Sequence, residues 1–206
     1  MKSSIRVISA GPKHHFFGYY DMRPWDASGR YHLLLEVDFM DRPPGPEDQA
    51  VVGAVDLAEG NRFIPLSRTR AWNFQQGAML HWLGGSDAVL FNDRREERFV
   101  CVAHEMGSGA ERVVGPATGA LSADGRYAAT LNFARIAVTR PGYGYVGLAD
   151  PFAAEALPAG DGVGILEMAT GEHRLAISYV DLAPMQEPEL AYGDEKVWFN
   201  HVLFNP

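Results

Sequence analysis

Apolar and polar side chains alternate with a period of two along much of the chain. Tyr31, Leu33, Leu35, Val37 and Phe39 interleave with His32, Leu34, Glu36 and Asp38, while Tyr127, Ala129, Leu131 and Phe133 interleave with Ala128, Thr130 and Asn132. That period belongs to strands, whose successive side chains point to opposite faces of a sheet. No window of similar length repeats with helical spacing, so the pattern predicts an all-β protein.

Two kinds of turn punctuate the strands. Ala27-Ser28-Gly29-Arg30, Gly84-Gly85-Ser86-Asp87 and Ala123-Asp124-Gly125-Arg126 have the small and acidic residues of tight hairpins. A second signal follows each, an apolar and acidic stretch closing on glycine, in Val55-Asp56-Leu57-Ala58-Glu59-Gly60, His104-Glu105-Met106-Gly107-Ser108-Gly109 and Leu166-Glu167-Met168-Ala169-Thr170-Gly171. The two signals recur in the same order three times. Four antiparallel strands per unit of roughly 40–50 residues is the signature of a β-propeller blade.

The predicted blades cover about residues 18–70, 78–115 and 118–183, the third with a long insertion, and residues 197–206 read as the first strand of another. Propellers close with ~4–8 blades, and an open stack leaves strand edges that invite association. The expectation is therefore a partial propeller, the N-terminal part of a longer domain or a chain that self-associates through its open blade edge. Short helices are expected only in the insertion and in the link at 184–196.

Composition narrows the function classes. With 206 residues, 47% hydrophobic and 21% charged, the chain is long enough for a real core. Its net charge of −8 argues against a nucleic-acid footprint and against attraction to anionic membranes. No apolar stretch approaches the ~20 residues of a membrane helix. Residues 1–10 lack the apolar core of a secretory signal, so a cytoplasmic location is the default expectation. The single cysteine, Cys101, sits in the apolar run Phe99-Val100-Cys101-Val102 and reads as core. No Walker or dinucleotide glycine loop, His-Glu-x-x-His or Gly-x-Ser-x-Gly is present.

In an up-and-down blade, second-to-third loops and inter-blade links share one face. Here that face collects the long segments 38–49, 70–77, 93–97, 134–162 and 184–196, and long loops in compact domains are usually functional or disordered. Trp72, Asn73, Gln76, Asn92, Arg94, Arg135, Tyr145, Asn200 and His201 fall on it as candidate ligand contacts. Aromatic, amide and guanidinium groups together suit carbohydrate, because rings stack on apolar sugar faces, amides bond hydroxyls and arginine forks onto carboxylate or sulfate. Packing is the commoner role for Tyr19, Tyr20, Trp25 and Trp72. Arg94 and Arg95 beside Glu96 and Glu97 also suit a solvated ionic loop.

The runs His15-Phe16-Phe17-Gly18-Tyr19-Tyr20-Asp21, Pro24-Trp25, Trp72-Asn73-Phe74-Gln75-Gln76-Gly77, Phe91-Asn92-Asp93-Arg94, Arg140-Pro141-Gly142-Tyr143-Gly144-Tyr145 and Trp198-Phe199-Asn200-His201-Val202-Leu203-Phe204-Asn205-Pro206 resemble a bacterial family of oligogalacturonate-lyase-like β-propellers, and more distantly the seven-bladed ulvan lyases. The resemblance implies β-elimination on a uronate-containing glycan. That chemistry needs a neutralised carboxylate, a base for the adjacent proton and an acid for the departing oxygen. By position Arg140 and Gln76 are candidates for the carboxylate, and Tyr143, Tyr19, His15 and His81 for proton transfer. No cofactor is required by the sequence, and a divalent metal is compatible with the chemistry. The implied partner is an acidic polysaccharide or oligosaccharide. Two other readings stay open: a non-catalytic propeller binding a glycan or a protein through the same face, and a hydrolase using carboxylates such as Asp21 and Asp93.

Overall fold

The computed structural model describes residues 4–19, 22–84, 86–185 and 194–205. Among the described residues, twelve strands form three four-stranded antiparallel meanders, each in simple sequence order. The first contains β1 (His14–Phe16), β2 (Tyr31–Val37), β3 (Ala50–Asp56) and β4 (Arg62–Thr69). The second contains β5 (His81–Trp82), β6 (Ala88–Arg95), β7 (Arg98–Glu105) and β8 (Glu111–Pro116). The third contains β9 (Thr118–Leu121), β10 (Tyr127–Thr130), β11 (Gly162–Glu167) and β12 (His173–Ser178). These are propeller blades, and the described residues are all-β apart from one short α-helix, α1 (Phe133–Thr139), and a 3-10 helix at Val180–Met185.

The hairpin chemistry is local. Asp26 accepts from the backbone of Ser28 and Tyr31, and Asp124 accepts from Arg126 N and Ser122 Oγ, so each acidic residue closes its own turn. Gly60, Gly109 and Gly171 all stand at positive φ in the third-to-fourth turns, where a side chain would be strained.

Blades stack through opposite faces of the central strands. In β6, Val89 and Phe91 join a cluster with Leu33, Leu35, Val52 and Trp72 of the first blade side, whereas Leu90 joins Cys101, Val114, Leu166 and Met168 toward the third. With both faces buried, β6 reads as a continuous apolar run that turns polar only at Asn92. Asn92 then acts as a clasp: it accepts from Thr118 N at 2.9 Å and donates to Thr118 O at 2.8 Å and to Tyr145 Oη at 3.0 Å.

Four features depart from the sequence pattern. Residues 92–95, expected in a loop, continue β6, because Arg95 pairs with Arg98 across a two-residue turn in which Glu96 adopts φ 53°. The alternation through Phe133 breaks after Thr130, where Asn132 caps α1 by accepting from Arg135 N. The segment 197–205 forms no ladder among the described residues; its backbone bonds instead go to Ala156 O and to the Tyr179 hydroxyl. The inner strand of the first blade is also broken. β1 pairs with Leu35–Val37 through Phe16, and pairing resumes where Pro24 O accepts from Leu33 N at 2.9 Å and Trp25 bridges to His32, so, among the described residues, 17–19, Met22 and Arg23 lie outside the ladder. Of the expectations above, Tyr20, Asp21, Gly85, residues 186–193 of the last link and Pro206 lie outside the described residues.

Candidate functional site

The excursion that begins at residues 17–19 carries Tyr19 off the edge of the first blade. Two glycines let it run against the link between the first and second blades. A Cβ on Gly18 would sit 2.8 Å from Gln76 O, and one on Gly77 would sit 2.8 Å from Phe17 O. Gly77 is also at φ +63°. Pro24 O accepts from Trp82 Nε1 at 2.8 Å, pinning the far end. Tyr19 is thereby held almost wholly buried with its ring stacked on His201, centroids 4.9 Å apart, and its hydroxyl hydrogen-bonded to His201 Nε2.

Neighbours of this pair line a cavity of about 200 Å³. Met22 and Leu203 contribute from the two segments, with His81, Gly119 and Asn205 around them. Two orphaned amides lie in the adjoining chain, Gln76 in the 70–77 link against Gly18 and Asn200 beside His201 in sequence. Gln76, 3% exposed, has Oε1 without a hydrogen-bond partner, and Asn200 has both amide atoms buried without one. Unsatisfied buried amides are costly, which marks both as groups available to a polar ligand.

Arg140 follows α1 and stacks its guanidinium 3.9 Å above the Tyr143 ring. No carboxylate pairs with it among the described residues, so its donors remain available to an external anion. Asn73 connects this corner to the rest, accepting from Gln75 N and Gln76 N while donating to Tyr143 O and Gly144 O. The 140–145 turn and the Tyr19 excursion therefore flank one link, residues 70–77.

Other candidate contacts are built into the protein itself. Trp72 is fully buried among Phe16, Phe39 and Phe74 and donates to Asp48 O. Arg135 bonds Asp150 and the carbonyls of Phe152, Glu155, Ala156 and Val197. Tyr145 stacks on Phe133 and takes the Asn92 bond, and burial pushes its hydroxyl pKa well up. Trp72, Arg135, Tyr145, Asn73 and Asn92 thus hold the loop-rich face in shape and present no open surface to a ligand. Arg94 pairs with Glu47 at 2.8 Å rather than with the neighbouring glutamates. His15 bonds Glu36 at 3.1 Å and packs on Phe63, on the side of β1 opposite Phe16, apart from Tyr19. Gly18 and Gly77, which seat the excursion, escaped sequence reasoning; their signal was the paired glycines at the ends of two aromatic runs.

Among the described residues, no group of three His, Cys, Asp or Glu side chains is placed to hold a metal ion, and no helix is long and apolar enough to cross a membrane. Fold and site together define a partial β-propeller in which the chain beyond β1 meets the 197–205 segment at a tyrosine–histidine pair. No family model matches the sequence, and no curated protein matches it. Among solved structures, TolB from Acinetobacter baumannii is similar with a TM-score of 0.46 and 15% identity, over 75% of this chain and 31% of that one. The chain thus spans under a third of that structure's length.

Proposed function

We propose that this propeller acts on uronate-containing glycans by β-elimination, with Tyr19 and His201 as the proton-transfer pair. The observation that carries the reading is the direct Tyr19 Oη to His201 Nε2 hydrogen bond, made between groups 182 residues apart. With His201 protonated on Nδ1, its Nε2 takes the tyrosine proton. The tyrosinate then removes the C5 proton of the uronate, the electron pair forms the C4–C5 double bond, and the C4–O bond breaks. The departing oxygen takes the proton now on His201, so both groups return to their starting state. Arg140, free of acidic partners and braced on Tyr143, is suited to neutralising the carboxylate and making the C5 proton acidic. The buried Gln76 and Asn200 amides are suited to sugar hydroxyls or to the same carboxylate.

Product formation is read directly, because the unsaturated uronate absorbs in the ultraviolet. The protein is incubated with a panel of uronic-acid polysaccharides, and turnover is expected to fall by about a hundredfold or more in both Tyr19→Phe and His201→Ala. Turnover undiminished in Tyr19→Phe would remove the pair from the chemistry. Glycan binding without turnover would instead favour a non-catalytic propeller, a reading supported by the number of loop-face polar groups already bonded within the protein.

A further inference from the structure

A cavity of about 650 Å³ opens on the face opposite the long loops, among the short turns. That volume lies in the range of small-ligand sites. Its walls include Trp25, Tyr31 and Trp82, with Arg23, Asp26 and Asp87 at its edge. We infer that this cavity binds one hexuronate ring of an acidic oligosaccharide, independently of the elimination reading.

The aromatic walls are fixed before any ligand arrives. Trp25 is bridged to His32 in the backbone and packs edge-on against its ring at 4.4 Å, yet keeps 37% of its surface exposed. Trp82 has its Nε1–H committed to Pro24 O, so its ring offers the cavity only apolar surface. Rigid aromatic faces favour a ligand with a flat apolar side. The polar groups restrict the choice. Arg23 has no hydrogen-bond or ion-pair partner among the described residues, which calls for an anion. Asp87 accepts only a long 3.2 Å bond from Gly107 N through Oδ2, leaving acceptor capacity that suits hydroxyl donors and would repel a multiply charged anion. An apolar ring face, one carboxylate and several hydroxyls together describe a sugar acid. An aromatic acid satisfies the walls and Arg23 but leaves the aspartate without a donor.

The cavity shares His81, Leu121 and Ala123 with the smaller one lined by Met22 and Leu203, so the two sites are read apart through variants of residues found only in the larger. Trigalacturonate is titrated into the protein while tryptophan fluorescence and calorimetric heat are followed. Saturable quenching is expected in the Tyr19→Phe background, in which turnover of the ligand is suppressed, and is weakened by about tenfold when Arg23→Gln or Trp25→Ala is added. Maltotriose, which lacks the carboxylate, is expected to bind about tenfold more weakly. Arg23 is exposed, so its variant reports on the site even where Trp25→Ala fails to fold. Absence of binding, binding unaffected by Arg23→Gln, or displacement by benzoate at equal concentration would overturn the assignment.

Discussion

Arg135 and Asp150 form an ion pair of 3.1 Å in which neither side chain is open to solvent, and the other guanidinium donors are all taken by carbonyls. One arginine therefore binds α1 to the rest of the insertion and to Val197 at the start of the last segment. Removing a single member of a buried pair leaves a charge without compensation, which costs about 3–5 kcal/mol. Arg135→Met is expected to lose that much stability in urea denaturation. Arg135→Met combined with Asp150→Leu is expected to be less destabilised than the single variant, because the carboxylate that Arg135 pairs with is removed along with it.

Asn92→Ala should be damaging although it removes only a small polar group. It leaves Thr118 N and Thr118 O without their partner inside the stack of the second and third blades. The expected loss is about 1–3 kcal/mol, seen as a lower denaturation midpoint.

At Gly144 the backbone lies so close to α1 that a Cβ would stand 2.0 Å from Ala137 N and 2.3 Å from Phe133 O. Gly144→Ala must push the turn off the helix, at a cost of at least about 1–3 kcal/mol. Because Asn73 grips the carbonyl of this residue, the same change is expected to displace Arg140 and weaken the binding of uronate oligomers, which calorimetry detects.

The Arg42 guanidinium, with the Gly45 amide, holds the Asp48 carboxyl down to about 2. A folded-state value below the unfolded one contributes stability above the ordinary carboxylate range, and that contribution is lost as pH falls from about 4 toward 2. In acid titration, wild type is expected to lose more stability across that window than Asp48→Asn does.

Cys101 is fully buried, and burial pushes its thiol up to about 12. The thiolate is the reactive form, so native protein is expected to resist a thiol-specific disulfide reagent at neutral pH and to react fully in urea. Reaction at the free-thiol rate without denaturant would contradict the packing of the second and third blades.

Strand order and turn chemistry were legible because both are local: the Tyr31–Val37 alternation and the Asp124-Gly125 turn need only near neighbours. The end of β6 was not, since Asn92 and Asp93 look like loop residues until Thr118, Tyr145 and Arg70 arrive from elsewhere to satisfy them. The site follows the same division. Tyr19 and His201 were nominated separately by their stretches of chain, and nothing in periodicity pairs them. Arg135 and Trp72 were nominated for their chemistry, but burial is a property of the assembled fold and turned both into scaffold.

The insertion between β10 and β11 also has a kinetic meaning. In the first two blades every ladder closes across a modest loop, whereas Thr130 must find Gly164 across the whole of α1 and the turns beyond it. Closing a longer loop carries a larger entropic toll before any contact rewards it. The third blade should therefore be the last to acquire its hydrogen bonds, and pulse-labelled amide exchange during refolding should protect Ile165 and Leu166 after Val52 and Val102.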